Sequence, residues 1–142
     1  TKKYQKNYEY VVRANVDCPF FMPTVLDNII IKFKNSKKDF YSPFFKNIYP
    51  FGFTFCIFKK SCIFKIKKKA NLEKYKEHIE NFCLDNQELF KQYVPKIKKF
   101  IAPQINVTLD TKKDFVKLKK LYFFLKKYSV KIQPQKLINY LK

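Results

Sequence analysis

Few residues of this 142-residue chain have the type and spacing that catalysis needs. His78 is the single histidine, and it lies in a predicted helix among charged neighbours, which is typical of a surface histidine. Glu73, Glu77 and Glu80 follow helical spacing with lysines nearby, and this pattern predicts a salt-bridged helix face. Gly52 is the only glycine, so a glycine-rich phosphate loop is excluded. The sequence therefore predicts a protein that is not an enzyme and has no catalytic residue.

The four cysteines lack the spacing of a metal site. Cys18, Cys56, Cys62 and Cys83 include no Cys-x-x-Cys pair, whereas zinc sites normally present their ligands in closely spaced pairs. Two disulfides would be possible by number, but the cysteines lie in apolar runs, which favours buried free thiols. The sequence predicts no metal site and no cofactor.

The charge of the chain is dominated by lysine. The formal net charge is +20, and Arg13 is the only arginine among 31 basic residues. Hydrophobic residues make up 46% of the chain, which predicts a folded core beneath a basic surface. Such a surface typically meets nucleic acid or an anionic membrane, and lysine suits phosphate contact better than base readout. Lysine, asparagine, isoleucine, phenylalanine and tyrosine also have AT-rich codons, so an AT-rich genome is a second reason for the lysine excess.

The elements that would position these residues follow from the apolar periodicity. Alternation predicts strands over 8–16, 53–58, 62–68 and 105–109. Helical spacing predicts helices over 24–35, over about 72–83 with a restart at Asp85 that carries Tyr93, and from Thr111 onwards. This order predicts an α+β fold with a ferredoxin-like β-α-β-β-α-β core, in which helices cover one face of an antiparallel sheet.

A basic hairpin is the strongest local prediction. Strands 53–58 and 62–68 would form an extended hairpin with Lys59 and Lys60 at its tip. The predicted RNA-binding residues are this tip, the lysines of the second strand and its end, and the arginine of the first strand: Lys59, Lys60, Lys65, Lys67, Lys68, Lys69 and Arg13. The alternative is a solvated edge strand that its lysines protect from aggregation.

The chain divides into three predicted parts. Residues 1–7 form a basic arm, residues 8–110 the RNA-binding core, and residues 111–142 a lysine-rich helical extension. In the extension, Phe115, Leu118, Tyr122 and Leu125 make an apolar stripe expected to dock on the sheet or on a neighbouring protein. No apolar run reaches the roughly 18 residues of a transmembrane helix. Residues 1–10 lack a signal-peptide core, and if Thr1 follows a removed methionine, no transit peptide is cleaved.

The order of segments resembles the ribosomal protein S-ten family of the small subunit. Residues 10–14 and 25–30 match the first strand and helix of the family, and residues 42–50 match its proline-marked segment. Residues 55–61 match its strand that ends in a basic residue and serine. Residues 72–75 match its charged-then-aromatic stretch, and residues 103–109 match its closing strand. The resemblance covers about residues 8–110. Two features depart from it: the proline-histidine after Ser61 is missing, and the family has a strand where helical spacing predicts a helix around 75–82.

The resemblance implies a structural constituent of the small subunit of a mitochondrial ribosome. Its partners would be rRNA and neighbouring ribosomal proteins, with no small-molecule substrate and no transmembrane segment, and its location would be the mitochondrial matrix. Two alternatives stay open. One is another mitochondrial ribosomal protein of similar fold, possibly from the large subunit. The other is a matrix-facing accessory subunit of a respiratory or ATP synthase complex, whose lysines would meet cardiolipin.

Overall fold

The computed structural model describes residues 8–21, 23–43, 51–53, 55–69, 73–96, 105–127 and 139. The fold of these residues is α+β, as predicted, with four strands and five helices. The strands are β1 (Tyr10–Ala14), β2 (Phe40–Tyr41), β3 (Phe55–Lys59) and β4 (Gln92–Tyr93). The helices are α1 (Pro23–Asn35), α2 (Lys60–Lys69), α3 (Lys74–Glu77), α4 (Ile79–Asp85) and α5 (Lys112–Lys127). None of the helices in these ranges is long and apolar enough to cross a membrane.

The strands form one mixed sheet in the order β1-β3-β2-β4. Strand β3 is antiparallel to both β1 and β2, whereas β2 and β4 are parallel. Strands β1, β2 and β4 therefore run in one direction, and only β3 is reversed. The carboxyl ends of the three co-directional strands meet at one edge of the sheet, where α/β proteins commonly bind ligands.

The predicted ferredoxin-like arrangement holds only for its first half. The antiparallel order β1-β3-β2 with α1 between β1 and β2 fits it. The closing strand, however, is β4, which pairs parallel to β2 at the far edge. Residues 105–109, predicted as that strand, contribute an isolated bridge between Asn106 and Phe51. The sheet is mixed, so the prediction of an antiparallel ferredoxin-like sheet is wrong.

Strand β3 is the centre of the core, because its two faces are both covered. Phe55 and Ile57 pack with Ile29 and Phe33 of α1, while Cys56 and Phe58 belong to a cluster that includes residues of α2, α3 and α4. Successive side chains of a strand point to opposite faces, so one strand supplies both clusters. Helices therefore cover both faces of the sheet, and the prediction that they cover one face is wrong.

The predicted basic hairpin is a strand followed at once by a helix. Lys59 ends β3, and Lys60 begins α2. Cys62, Phe64 and Ile66 fit the alternation of a strand, but Cys62 and Ile66 are also one helical turn apart, and these two are buried while Phe64 is 54% exposed. A short apolar run can fit both the two-residue period of a strand and the 3.6-residue period of a helix, so it does not distinguish them. The second strand and the hairpin tip are therefore wrong predictions.

The helical prediction over 72–83 is confirmed by α3 and α4, and the strand that the family resemblance expects there is not formed by the described residues 73–85. The restart that was predicted to carry Tyr93 is wrong, since Tyr93 lies in β4. The capping box at the start of α5 is confirmed. The Asp114 amide donates to Thr111 Oγ1 at 3.2 Å, and the Thr111 amide donates to Asp114 Oδ2 at 2.8 Å.

Helix α5 packs against loops that flank the sheet. Its buried residues Leu118, Leu121 and Leu125 share a cluster with Phe20, Phe53 and Val107. Gly52 makes this approach possible, because its φ is +95° and a Cβ there would lie 2.6 Å from the Val107 carbonyl carbon. Of the predicted apolar stripe, Leu118 and Leu125 are buried, whereas Phe115 and Tyr122 are about half exposed. The division at residue 110 stays a prediction, and residues 1–7 and most of 128–142 lie outside the described residues.

Truncating Leu121 should test how much α5 contributes to the stability of the described core. Leu121→Ala removes a side chain that is 1% exposed, and we expect a loss of about 2–5 kcal/mol in the free energy of unfolding. The matched control is Val116→Ala on the exposed side of the same helix, expected to change it by less than about 0.5 kcal/mol. Urea unfolding followed by circular dichroism measures both. Equal effects would mean that α5 is a dispensable extension.

Candidate functional site

A polar pocket of about 430 Å³ lies at the carboxyl end of β1. The end of the strand and the turn after it form one wall, from Arg13 to Asp17, and Glu77 and His78 form the other. The pocket therefore joins the edge of the sheet to the junction between α3 and α4. At this junction His78 has φ −121° and ψ 76°, which is not helical, so the chain bends between the two short helices.

The Arg13 side chain joins β1 to this junction through a buried carboxylate. Its Nη1 lies 3.2 Å and 3.1 Å from the two oxygens of Glu80, and its Nη2 donates to the Glu77 carbonyl at 2.6 Å. The Glu80 side chain is 1% exposed. A buried carboxylate is costly unless it is paired and hydrogen-bonded. Arg13 therefore serves to neutralise Glu80 and is not free to bind a phosphate group.

His78 is the second partner of Glu80. Its Nδ1 lies 3.1 Å from Glu80 Oε1, and because a carboxylate oxygen accepts, Nδ1 is the donor. Its Nε2 lies 4.0 Å from Glu77 Oε1, beyond hydrogen-bond distance. The only arginine and the only histidine of the chain thus meet on one buried carboxylate.

The sequence analysis did not predict this arrangement, because helical spacing predicted one continuous helix over about 72–83. On such a helix Glu73, Glu77 and Glu80 share a solvated face. In the structure Glu73 pairs with Lys76, as predicted, and Glu77 is exposed. The bend at His78 turns Glu80 into the core. His78 lies at the surface, as predicted, but it is a pocket residue with a fixed partner.

Asp17 is the other polar residue that the sequence reasoning missed. Cys18 Sγ donates to Asp17 Oδ1 at 3.5 Å, and the Leu109 amide donates to the Asp17 carbonyl at 2.8 Å. The turn is closed by the Cys18 amide, which donates to the Asn15 carbonyl at 3.2 Å. A polar residue directly after a strand was the available signal, because strand ends position ligand-binding groups. Among the described residues, no three potential ligands cluster to hold a metal ion by themselves.

The predicted RNA-binding residues are not brought together. Strand register places Lys59 opposite Tyr10 at the start of β1, whereas Arg13 lies opposite Cys56 near its end. Lys59 and Lys60 border a separate pocket with Tyr8, and the Lys60 ammonium lies 4.8 Å from the centre of the Tyr8 ring. Lys65, Lys67, Lys68 and Lys69 follow along α2. Lys59 and Lys60 therefore lie at the opposite end of β1 from Arg13.

All four cysteines are buried free thiols, as predicted. Burial and the negative charge of Glu80 raise the pKa of Cys56 to about 12, partly offset by a hydrogen bond with Ser42 and by the charge of Arg13. Hydrogen bonding with Cys62, whose sulfur lies 3.8 Å away, and burial raise the pKa of Cys83. The Cys56 and Cys83 thiols are therefore protonated at neutral pH and are poor nucleophiles.

The fold of this chain is similar to that of part of a solved structure. A solved structure of a cytidylyltransferase from Leptospira borgpetersenii serovar Hardjo-bovis (strain JB197) matches 99% of this chain with a TM-score of 0.83 at 24% identity. The sequence is also 28% identical over 114 residues, 79% of the chain, to the spore coat polysaccharide biosynthesis protein SpsF of Bacillus subtilis (strain 168). The chain covers 58% of the first protein and 46% of the second, so it spans about half their length. No protein-family profile matches the sequence.

These two similarities contradict the ribosomal interpretation. The matching proteins are a cytidylyltransferase and a polysaccharide biosynthesis protein, not members of the ribosomal protein S-ten family. The predicted ribosomal structural role is therefore wrong, and so are both alternatives to it. The predictions of rRNA and ribosomal proteins as partners, of no small-molecule substrate and of no enzyme activity are wrong as well. Basic composition misled the prediction, because an AT-rich genome raises the lysine content of proteins of any function. The mitochondrial location is untested and stays a prediction.

Breaking the Arg13–Glu80 pair should destabilise the fold. Arg13→Met leaves the buried Glu80 carboxylate without its guanidinium, and we expect a loss of about 3–5 kcal/mol in the free energy of unfolding. The matched control is Glu73→Gln, which breaks the exposed pair with Lys76 and should cost about 0–1 kcal/mol. The double variant Arg13→Met/Glu80→Met should recover most of the loss, since no buried charge remains. A double variant as unstable as Arg13→Met would contradict the pairing.

Alkaline pH should weaken the fold partly through Cys56. The thiol has an ordinary pKa of 9.0 and a folded pKa of about 12, so its contribution to stability is complete below pH 9.0 and is lost as the pH rises towards 12. The unfolded chain binds fewer protons than the native chain in this window. Between about pH 9 and 11, wild type should lose roughly 2 kcal/mol more than Cys56→Ala. Parallel pH dependences in urea unfolding would contradict this origin.

Proposed function

We propose that this chain is part of a nucleotidyltransferase that moves a cytidylyl group from CTP to a sugar for polysaccharide synthesis. The observation that carries this proposal is the fold match to a cytidylyltransferase over nearly the whole chain, with a TM-score of 0.83. The similarity to a polysaccharide biosynthesis protein supports the class of acceptor. The polar pocket at the carboxyl end of β1 supports the location of the site.

The reaction balances as a displacement at phosphorus. An oxygen of the acceptor attacks the α-phosphorus of CTP, and a new P–O bond forms. The bond between the α-phosphorus and the oxygen that bridges to the β-phosphate breaks, and pyrophosphate leaves with its electron pair. Such transfers depend on positioning and on electrostatic stabilisation of the phosphate oxygens.

Asp17 is the described residue best suited to the nucleotide end of the pocket. Magnesium ions that accompany nucleotides are held by one or two carboxylates together with the phosphates and waters. The donor set fits this use, because Asp17 offers a carboxylate on a turn that is held by hydrogen bonds from Cys18 Sγ and from the Leu109 amide. The ion would supply positive charge to the phosphates.

The proteins that this chain resembles are about twice as long. In those proteins, residues outside the matched half can also contribute to the nucleotide pocket.

Replacing Asp17 should weaken binding of the magnesium complex of CTP. We expect Asp17→Asn to raise the Kd about 10- to 100-fold, because a charge-assisted contact contributes about 1.5–3 kcal/mol. The matched control is Asp27→Asn, an exposed position on α1, which should bind as wild type does. Isothermal titration calorimetry with CTP and MgCl₂ measures both, with ATP as the competing nucleotide. A wild-type protein that binds neither nucleotide would reject nucleotidyl transfer.

A further inference from the structure

A groove lies at the opposite end of β1 from the polar pocket. It consists of two adjoining cavities of about 460 and 300 Å³, and the side chains of Tyr8 and Lys60 line both of them. The other lining residues are Glu9, Lys59 and Ser61 in the first cavity, and Ile63, Phe64 and Lys67 in the second. Because Tyr10 at the start of β1 pairs with Lys59 at the end of β3, the groove follows the junction between β1 and the first turn of α2.

One side of α2 supplies most of the second cavity. The residues that line it share a face of the helix, because they lie three or four positions apart: Lys60, Ile63, Phe64 and Lys67. A different side of the same helix, with Cys62 and Ile66, is buried in the core. Lys60 and Lys67 are about 10 Å apart along the helix axis, and Phe64 lies between them. Two positive charges with an aromatic ring between them therefore follow the length of the groove.

Tyr8 is held beside this face of α2 by two contacts. The Lys60 amide donates to the Glu9 carbonyl at 2.8 Å, which fixes the chain directly after Tyr8. The Lys60 ammonium lies 4.8 Å from the centre of the Tyr8 ring, and this cation–π contact leaves the ammonium charged. Tyr8 is 37% exposed and Phe64 is 54% exposed. The groove therefore offers two aromatic rings to a ligand, each beside a lysine.

We infer that this groove binds an acidic saccharide chain. The inference rests on the proposed function for the choice of a saccharide, and it concerns a carbohydrate polymer and not the substrates of the transfer. A sugar ring presents a face of C–H groups that packs on an aromatic ring, and the carboxylates of an acidic sugar accept hydrogen bonds from lysine ammonium groups. Tyr8 and Phe64 pack against the sugar rings, and the lysines of the groove bind the carboxylates.

The charge of the groove favours an acidic saccharide over a neutral one. Its described lining residues include three lysines and a single carboxylate, that of Glu9. The polar pocket at the other end of β1 is lined instead by the carboxylates of Asp17 and Glu77, and its arginine is paired with Glu80. The two ends of β1 therefore differ in charge, and a polyanion is attracted to the groove end.

The shape and the rings of the groove exclude other anionic partners. A helix that inserts into a membrane presents its apolar face outwards, whereas Ile63 packs against the core and Phe64 lines a cavity. A flat bilayer does not enter such a groove, but a single polymer chain does. Lysine is abundant throughout this protein, so charge alone would attract any polyanion. Selectivity for a saccharide must come from Tyr8 and Phe64.

The test is isothermal titration calorimetry with tetragalacturonate, which has a carboxylate on every sugar ring. Maltotetraose has the same number of rings without the charge. Acetylated and amidated tetraglutamate has the same number of carboxylates without the rings. The groove variants are Phe64→Ala and Lys67→Gln. The matched controls are Phe123→Ala and Lys120→Gln, which change exposed residues of α5, and circular dichroism checks the fold of every variant.

We expect tetragalacturonate to bind about 10-fold more tightly than either comparison ligand, because it alone uses both the rings and the lysines. Phe64→Ala should raise its Kd about 3- to 10-fold, the usual effect of losing one aromatic packing contact. Lys67→Gln should raise the Kd about 2- to 5-fold at low salt, and added salt should reduce this difference. Both control variants should bind within about twofold of wild type.

Other results overturn the inference. Equal binding of tetraglutamate would mean a cationic surface without selectivity, and equal binding of maltotetraose would leave the lysines without a role. Losses in the α5 controls as large as those in the groove variants would place the binding elsewhere. Absence of tetragalacturonate binding also rejects the inference, and binding of phosphatidylserine vesicles in its place would assign the surface to a membrane. Titration of the same wild-type sample with CTP and MgCl₂ tests the proposed function separately, so a protein that binds CTP and no saccharide rejects only the groove.

Discussion

A carboxylate that is removed from water needs donors, and the donors of Glu80 come from two distant parts of the chain. Arg13 lies 67 residues away on β1, and His78 lies two residues away at the bend between α3 and α4. Leaving one such charge unpaired costs several kcal/mol, so folding must bring strand and helices together in this register. The pocket is a consequence of that requirement, because its two walls are the segments that carry the donors.

The mixed sheet explains why the pocket lies where it does. Strand β3 alone runs against its neighbours, and its alternating side chains fill the apolar layers on both faces. The turn that leaves β1 at its carboxyl end carries polar groups before the chain returns to the core at Phe20. Asn15 and Asp17 follow β1 in this position. Strand β3 thus contributes most to the apolar core, whereas the polar residues of the pocket follow the end of β1.

Local signals in the sequence predicted the elements that depend on them. Helix α5 begins where a threonine and an aspartate three residues apart indicate a capping box, and their reciprocal hydrogen bonds are present. Helix α2 was mispredicted because Cys62 and Ile66 satisfy both the strand period and the helical turn. The site was missed for a different reason. Nothing in the local sequence relates Arg13 to Glu80, so the sequence analysis assigned Arg13 to RNA binding and His78 to the solvated surface.

Strand β1 pairs with β3 on one side, and the described residues place no strand on its other side. That side presents a row of backbone donors and acceptors, which is a template for pairing with any other extended chain. Val12, 38% exposed, adds an apolar surface beside it. Between copies of a protein with a net charge of +20, mutual repulsion opposes such pairing at low ionic strength, and salt screens that repulsion. The excess of lysine thus opposes association of two copies through the edge strand β1.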